Sequence, residues 1–528
     1  MVEGKYVAVI DQGTTSTRCI IFDREGNMVS SEYAEHKQIY PQAGWVEHDP
    51  NEILEKTEFV VKRSIEAAGV QGEQIAAVGV TNQRETTVLW DEMTGRPVYN
   101  AIVWQDTRTK SRCAAIRENG AAGSLIHLKS GLYPHPYFSS SKIEWIMKNI
   151  PAAYEKAKNE TLLFGNMDTW LIWNLTRGAP NNPTPERNGA HLTDYTNASR
   201  TMLFDIERLE WAPDLLQMFG IPPEIMPKAR PSSDRQSFGY TSADGPFGYE
   251  VPIYGDLGDQ QAALVGQACF EPGEAKNTYG TGCFLLANLG DRPKFSERGL
   301  LTTIAFGFDE GHCAYALEGS VAIAGAAVQW LRDNLKLIKS SAETEPLAKS
   351  VSTTGSGGVY FVPAFSGLFV PYWDADARGT MTGLTRYTRR EHLVHATLES
   401  ICWQTRDVYD AITEEMQTKG KTLKVDGGAA RNDYLMQLQA DILGIEVIRP
   451  VVTETTALGA AYAAGLAVEF WPSEKHLREI CKVDRVFVPK WDEEKRKKLH
   501  RGWSAAVKRS MGWLKEVGDL PSSGTAVN

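Results

Sequence analysis

Residues 7–23 read VAVIDQGTTSTRCIIFD, and no other stretch limits the fold as tightly. Two apolar runs, Val7 to Ile10 and Cys19 to Phe22, flank a glycine, Gly13, and four consecutive hydroxyls, Thr14 to Thr17. Runs this short separated by a turn predict an up-and-back β-hairpin. Its first strand ends in a charge, Asp11. Gly13 lets the backbone turn tightly, so that N–H groups and hydroxyls face an anion such as a polyphosphate. A carboxylate at that strand end suits a Mg2+ shell, usually through water. No lysine stands at Walker-A spacing, so the turn is not a P-loop. A hairpin turn with an Asx cap explains the stretch as well when it is taken alone. Arg18, just beyond, either reaches a phosphate or pairs with an acid.

The second half of the chain repeats the device. NTYGTGCF (277–284) sets Thr281 between two glycines, and TLKVDGG (422–428) runs a strand into Asp426-Gly427-Gly428. A lone G-T-G is better read as a plain β-turn. Together the three turns point to two related α/β domains, each offering a phosphate loop to a nucleotide in the cleft between them. A chain of 528 residues is too long for one compact core, which agrees. The aperiodic Ser/Gly/Tyr/Pro-rich stretch at 232–255 marks the boundary, giving domains 1–255 and 256–528. Periodicity predicts helices at 52–68, 141–149, 260–269 and 322–335, and strands at 75–80 and 279–286. The end of the chain reads strand, turn, helix, strand from residue 422 onward. Proline breaks at 180–185 and 222–231 predict surface loops.

A net charge of −10 argues against a nucleic-acid partner, which calls for a basic stripe. Seven cysteines, an odd number with no C-x-x-C pair, fit reduced thiols in a cytoplasmic setting. The apolar stretch Ala457 to Val468 is shorter than the roughly 20 residues a membrane span needs. MVEGKYVAVI is too short and too acidic for a signal peptide, and Pro521 to Asn528 reads as a frayed tail.

Other candidates are ambiguous taken singly. Asp259, in LGDQQ, stands at the edge of a helix starting near Gln260. It reads first as an N-cap and second as a general base for a substrate hydroxyl. Arg84 and Glu85 follow a buried strand, as a solvated pair or as donor and acceptor for a small polyol. Trp104 and Tyr137 suit either the core or the apolar wall of such a ligand. His392 and His395 lie one helical turn apart without further ligands, so solvated or capping roles outrank a metal site. The basic helix within residues 490–515 carries a stripe of Leu499, Trp503, Val507 and Met511. Packing on the domain outranks membrane association for it.

The motifs, in this order, resemble the FGGY carbohydrate kinases. YFSSSKIEWIMKN (137–149) and GTMTGLTRYTRREHLVHATLE (379–399) resemble the two family signatures. IDQGTTS (10–16), GWVEHDP (44–50), NQRET (82–86), GDQQAAL (258–264), NTYGTGCF (277–284), VPAFSGL (362–368) and VDGG (425–428) resemble the members that act on glycerol. The likeness runs from about Val7 to Leu466.

It implies an α/β fold of two RNase-H-like, actin-like ATPase domains closing over ATP and substrate. It implies transfer from Mg-ATP to glycerol, giving sn-glycerol 3-phosphate, by a cytoplasmic enzyme acting as a homo-oligomer, a dimer. By matching motifs, Arg84, Glu85, Tyr137, Asp259 and Gln260 would hold glycerol between Trp104 and Phe284, with Asp259 the general base. Thr14, Thr15, Ser16, Arg18, Gly280 and Thr281 would meet the phosphates, and Gly325 and Gln329 would lie by the nucleotide. Gly428, Ala429 and Asn432 would hold the adenosine, and Asp11 the Mg2+ shell. Three departures stand out. Residues 178–191 look like a surface insertion. The segment 231–250 lacks the G-G-x-R-like stretch with which bacterial relatives bind a sugar-bisphosphate inhibitor. His135, before Pro136-Tyr137, is expected to alter the pH response. A kinase for a pentose or larger polyol, an actin-like ATP switch and an inactive paralogue are the competing readings.

Overall fold

The computed structural model describes residues 4–178, 188–418 and 420–518. Most of the expected insertion at 178–191, the break at 180–185 and the tail at 521–528 lie outside the described residues. The opening hairpin forms as the sequence predicts. Tyr6–Gln12 pairs antiparallel with Ser16–Phe22, and Asp11 sits opposite Arg18. Val7 to Ile10 are fully buried because the strand is central and covered on both faces. Tyr6–Gln12 also pairs in parallel with Ile75–Asn82, which brings Asp11 beside Thr81. The first sheet runs Gly239–Tyr240, Pro252–Gly258, Ile75–Asn82, Tyr6–Gln12, Ser16–Phe22, Met28–Glu35. Helix Pro50–Ala68 packs on its outer end; Asp49 caps it and Gly69 stops it at φ +66°.

The second sheet runs Leu301–Asp309, His312–Val321, Cys283–Gly290, Ala275–Tyr279, Thr422–Asp426, Glu446–Pro450, Val483–Phe487. Ala275–Tyr279 pairs antiparallel with the strand after its turn and parallel with Thr422–Asp426. The opening strand of the first sheet has the same two relations, so the echoed sequence device is an echoed fold. Pro252–Gly258 belongs to the first sheet, so residue 255 falls inside a strand. The chain changes sheets through helix Asp259–Gly266.

Helix Thr455–Ala467, the small-residue stretch, returns to the first sheet and crosses helix Asp259–Gly266 at very close range. A Cβ on Gly459 would lie 1.8 Å from the Ala262 carbonyl oxygen, and one on Gly79 would lie 2.3 Å from that of Ala460. Only glycine admits such approaches. A composition close to that of a membrane segment therefore serves a buried helix crossing. No helix among the described residues is long and apolar enough to cross a membrane.

The basic helix spans Glu493–Ser510. Trp503 and Val507 are buried in the second core, Leu499 packs against it, and Met511 lies beyond the helix end, partly exposed. Trp503 Nε1 donates to Asp407 Oδ2 at 2.7 Å. Leu499, Trp503 and Val507 are packing surface, as expected, whereas Met511 is exposed and takes no part in it. His392 is a capping histidine, its Nδ1 accepting the Arg389 amide, but both it and His395 are buried rather than solvated.

Candidate active site

The polar run after strand Ile75–Asn82 is not solvated. Arg84 and Glu85 are 1% and 2% exposed, which removes the reading as a loose surface pair. Two N–H groups of Arg84 grip Glu318 at 2.6 and 3.0 Å, and Nη1 also donates to Gln261 Oε1 at 3.0 Å. Glu318 belongs to the second sheet, in His312–Val321. Arg200, fully buried, donates to Glu85 Oε1 at 2.8 Å and to Glu318 Oε1 at 3.1 Å. Two guanidiniums thus share one carboxylate, and they hold Glu318 down at about 2 against the upward push of burial. Burial is also the largest influence on Glu85, and it raises that carboxyl.

Asp259 faces this cluster from the first turn of its helix. The helix begins at Asp259 itself, with Gly258 as N-cap, so the expected capping role does not hold. Its side chain is 33% exposed, and Oδ1 lies 3.1 Å from Arg84 Nε. That Nε is buried and makes no hydrogen bond. Gln260 donates to Asp259 from its backbone at 2.8 Å and from Nε2 at 3.2 Å.

Trp104 and Tyr137 meet edge to face, centroids 5.5 Å apart, and both are partly buried. The Trp104 indole donates to Thr14 Oγ1 at 2.9 Å, tying the aromatic wall to the hydroxyl-rich turn. Lys142, in the first signature, donates to the carbonyls of Glu85 and Tyr137 at 2.9 and 2.7 Å. Burial lowers it to about 7. His135 Nδ1 accepts the Tyr137 amide, and burial lowers this imidazole to about 4. Its titration therefore falls on the acid side of neutrality.

The turn residues come from both sheets. Burial pushes Asp11 up to about 6, Arg18 opposes it, and the Glu454 and Asp259 carboxylates add to it. Arg18 pairs with Glu454 at 2.5 Å, the acid alternative among its two expected roles in this structure. Thr15 is exposed and Ser16 partly so. On the other side Gly280 and Thr281 are exposed at the turn. Their carbonyls accept the N–H groups of Gly325 and Ala326, docking helix Gly325–Asp333 on the turn. Gly427, at φ +86°, lies so close to Tyr279 that a Cβ would meet its carbonyl at 2.6 Å. Gly428 and Ala429 follow in a short 3-10 turn, and Asn432 caps the next helix through the Leu435 amide. Gln329 is exposed on its helix, and Phe284 is partly buried beside the pocket lysine Lys276.

Asp11 fits a divalent cation. Its neighbours at the cleft include two further carboxylates against one arginine, an excess of negative charge that an added cation relieves. Among the described residues no group of three or more His, Cys, Asp or Glu is arranged to bind a metal directly.

Sequence reasoning missed Arg200, Glu318, Lys276 and the role of Lys142. Only Lys142 had a signal, its place within a quoted signature.

Two α/β halves of RNase-H-like type, each built on a mixed sheet, define an actin-like ATPase fold of the sugar-kinase class. Residues 6–266 and 275–468 match the N-terminal and C-terminal domains of the FGGY family of carbohydrate kinases, and the chain belongs to that family. It is 55% identical over 512 residues to a glycerol kinase of Thermoanaerobacter sp. (strain X514), covering 97% of this chain and all of that one. Glycerol kinase 2 of Thermotoga maritima is 54% identical over 511 residues, with the same coverage. Among solved structures, Plasmodium falciparum glycerol kinase with ADP matches with a TM-score of 0.86 at 39% identity, over 96% of this chain and 98% of that one.

Proposed function

We propose that this chain is a glycerol kinase that transfers the γ-phosphoryl group of ATP to glycerol, giving sn-glycerol 3-phosphate and ADP. The observation that carries the reading is the buried Arg84 Nε, a donor with no hydrogen bond, flanked by the Asp259 and Glu85 carboxylates at 3.1 and 3.6 Å. A small polyol supplies what that arrangement needs: hydroxyls that accept from the arginine and donate to the acids. Trp104, Tyr137 and Phe284 would flank its carbon chain, and Gln260 would complete the polar side. The small size of this set favours three carbons over a pentose, and the identity to glycerol kinases supports the same choice.

Phosphoryl transfer asks mainly for positioning and charge stabilisation. Asp259, partly exposed to the cleft, would take the proton of the attacking hydroxyl. Thr14, Thr15, Ser16, Gly280 and Thr281 would contact the phosphates, with Arg18 released from Glu454 to join them. Gly325 and Gln329 would border the nucleotide, and Gly428, Ala429 and Asn432 the adenosine. Asp11 would hold the hydrated Mg2+, which supplies charge neutralisation on the phosphates. Closure of the halves would exclude water and so suppress ATP hydrolysis. The division into a substrate-binding half, 1–255, and a nucleotide-binding half, 256–528, belongs to the same proposal. So do the homodimer and the cytoplasmic setting; the seven free thiols support the latter.

The deciding experiment measures ADP release from Mg-ATP with glycerol, then with pentoses and other polyols, and identifies the phosphorylated product. Glycerol-dependent release with glycerol 3-phosphate formed is expected. Release that follows another sugar moves the substrate, and release indifferent to all of them favours an ATP switch.

A further inference from the structure

The second sheet sends one more side chain toward the pocket, and the mechanism above does not use it. Lys276, on strand Ala275–Tyr279, is fully buried. Its Nζ donates to Gln260 Oε1 at 2.6 Å, to Thr278 Oγ1 at 2.9 Å and to the Phe284 carbonyl at 3.4 Å. An ammonium has three N–H groups and no acceptor, so this geometry uses all of them. No hydrogen is left for a phosphate or a substrate hydroxyl, which separates Lys276 from lysines that bind phosphate directly.

What the contact fixes is Gln260. The two ends of an amide have opposite polarity, and a lysine can only donate. The end facing Lys276 is therefore the oxygen, and Nε2 must point the other way. It points to Asp259, donating to Oδ2 at 3.2 Å while the Gln260 backbone N–H holds Oδ1 at 2.8 Å. Turned over, the same amide would set its oxygen against both the carboxylate and the space where a hydroxyl must approach.

We propose that Lys276 is a positioning residue for phosphoryl transfer: by locking the Gln260 amide from the opposite sheet, it orients the Asp259 carboxylate toward the substrate hydroxyl. The inference rests on the reading of Asp259 as the base. It also means that the orientation of the base depends on contact between the helix that leaves the first sheet and a strand of the second. Gln260 and Asp259 lie on the helix that leaves the first sheet, whereas Lys276 is anchored among the strands of the second.

A double-mutant cycle on the full chain tests it, with kcat/KM for glycerol, the glycerol and ATP KM values and a thermal melt measured for each variant. Lys276→Met is expected to lower kcat/KM for glycerol by roughly 10²-fold, as a small misplacement of a reacting group does. In a Gln260→Ala background the same change should cost less than about threefold, because the route through the amide is already gone. A merely structural lysine gives losses that multiply, and that result, or an effect confined to the ATP KM, overturns the proposal. If Lys276→Met does not fold, Thr278→Val removes one acceptor of the ammonium at nearly constant volume. Its smaller loss must likewise vanish in the Gln260→Ala background. Asp259→Asn is run alongside: turnover retained there rejects the base itself, whereas the cycle reports only whether Lys276 acts through Gln260.

Discussion

Arg84 and Glu318 meet through two hydrogen bonds of 2.6 and 3.0 Å although 234 positions separate them in sequence and they belong to different halves of the fold. The candidate pocket is thus assembled across the cleft, and the arginine expected to hold the substrate is itself held by the other sheet. Removing one partner of a buried ion pair leaves an uncompensated charge, at a cost of about 3–5 kcal/mol. Glu318→Gln should therefore lower the melting temperature markedly and raise the glycerol KM more than the ATP KM. Thermal melts with steady-state kinetics check this, and an unchanged glycerol KM would remove Glu318 from the support of the pocket.

Asp259 and Arg84 should separate chemistry from binding. Asp259→Asn is expected to abolish turnover while ATP still binds, since the amide cannot take a proton. Arg84→Ala should chiefly raise the glycerol KM. Nucleotide binding by fluorescence or calorimetry, beside the kinetics, distinguishes the two, and an Arg84→Ala effect limited to ATP would put the residue on the wrong side of the cleft.

Gly325 is set against the phosphate turn. A Cβ there would lie 2.5 Å from the Gly280 carbonyl oxygen, which accepts the Gly325 amide. Gly325→Ala must push the turn away, so the ATP KM should rise by roughly tenfold or more, with the glycerol KM little changed. Equal effects on both substrates would show that the turn does not act on the nucleotide alone.

Lys142 gives a prediction in pH. Burial lowers its pKa from 10.5 to about 7, so between those values the unfolded chain binds a proton that the folded protein does not. Stability from this group therefore rises with pH across that window, and the penalty is full below pH 7. Lys142→Met removes the titration. The wild type should gain stability relative to this variant between pH 7 and 9.5 in denaturant titrations, and parallel curves would contradict the burial of a charged group there.

Asp11→Asn tests the cation. The Mg2+ concentration giving half-maximal rate at fixed ATP should rise by about tenfold, the scale on which a single ligand group contributes. An unchanged requirement would take Asp11 out of the metal shell.

How much was legible differs from residue to residue. The hairpin at 6–22 and the turns at Gly280 and Gly427 follow from neighbours in sequence, through short apolar runs and glycines at sharp bends, so they could be read directly. Asp259 was placed at the right helix end but one position out, because aspartate is favoured both as a cap and in the first turn. Arg84 and Glu85 could not be told from a solvated pair, since what buries them, Arg200 and Glu318, comes from distant segments. Lys276 carried no signal at all. A lysine in a strand looks exposed until the acceptors around its ammonium are seen.

By itself, then, the sequence determined three strand–turn devices and the residues that equip them, because backbone turns depend on a handful of adjacent side chains. The tertiary structure alone decided which charges lose their water and which partners replace it. Glu318 held at about 2 and Lys142 lowered to about 7 are products of burial and of neighbours brought from far along the chain, and no local pattern encodes either.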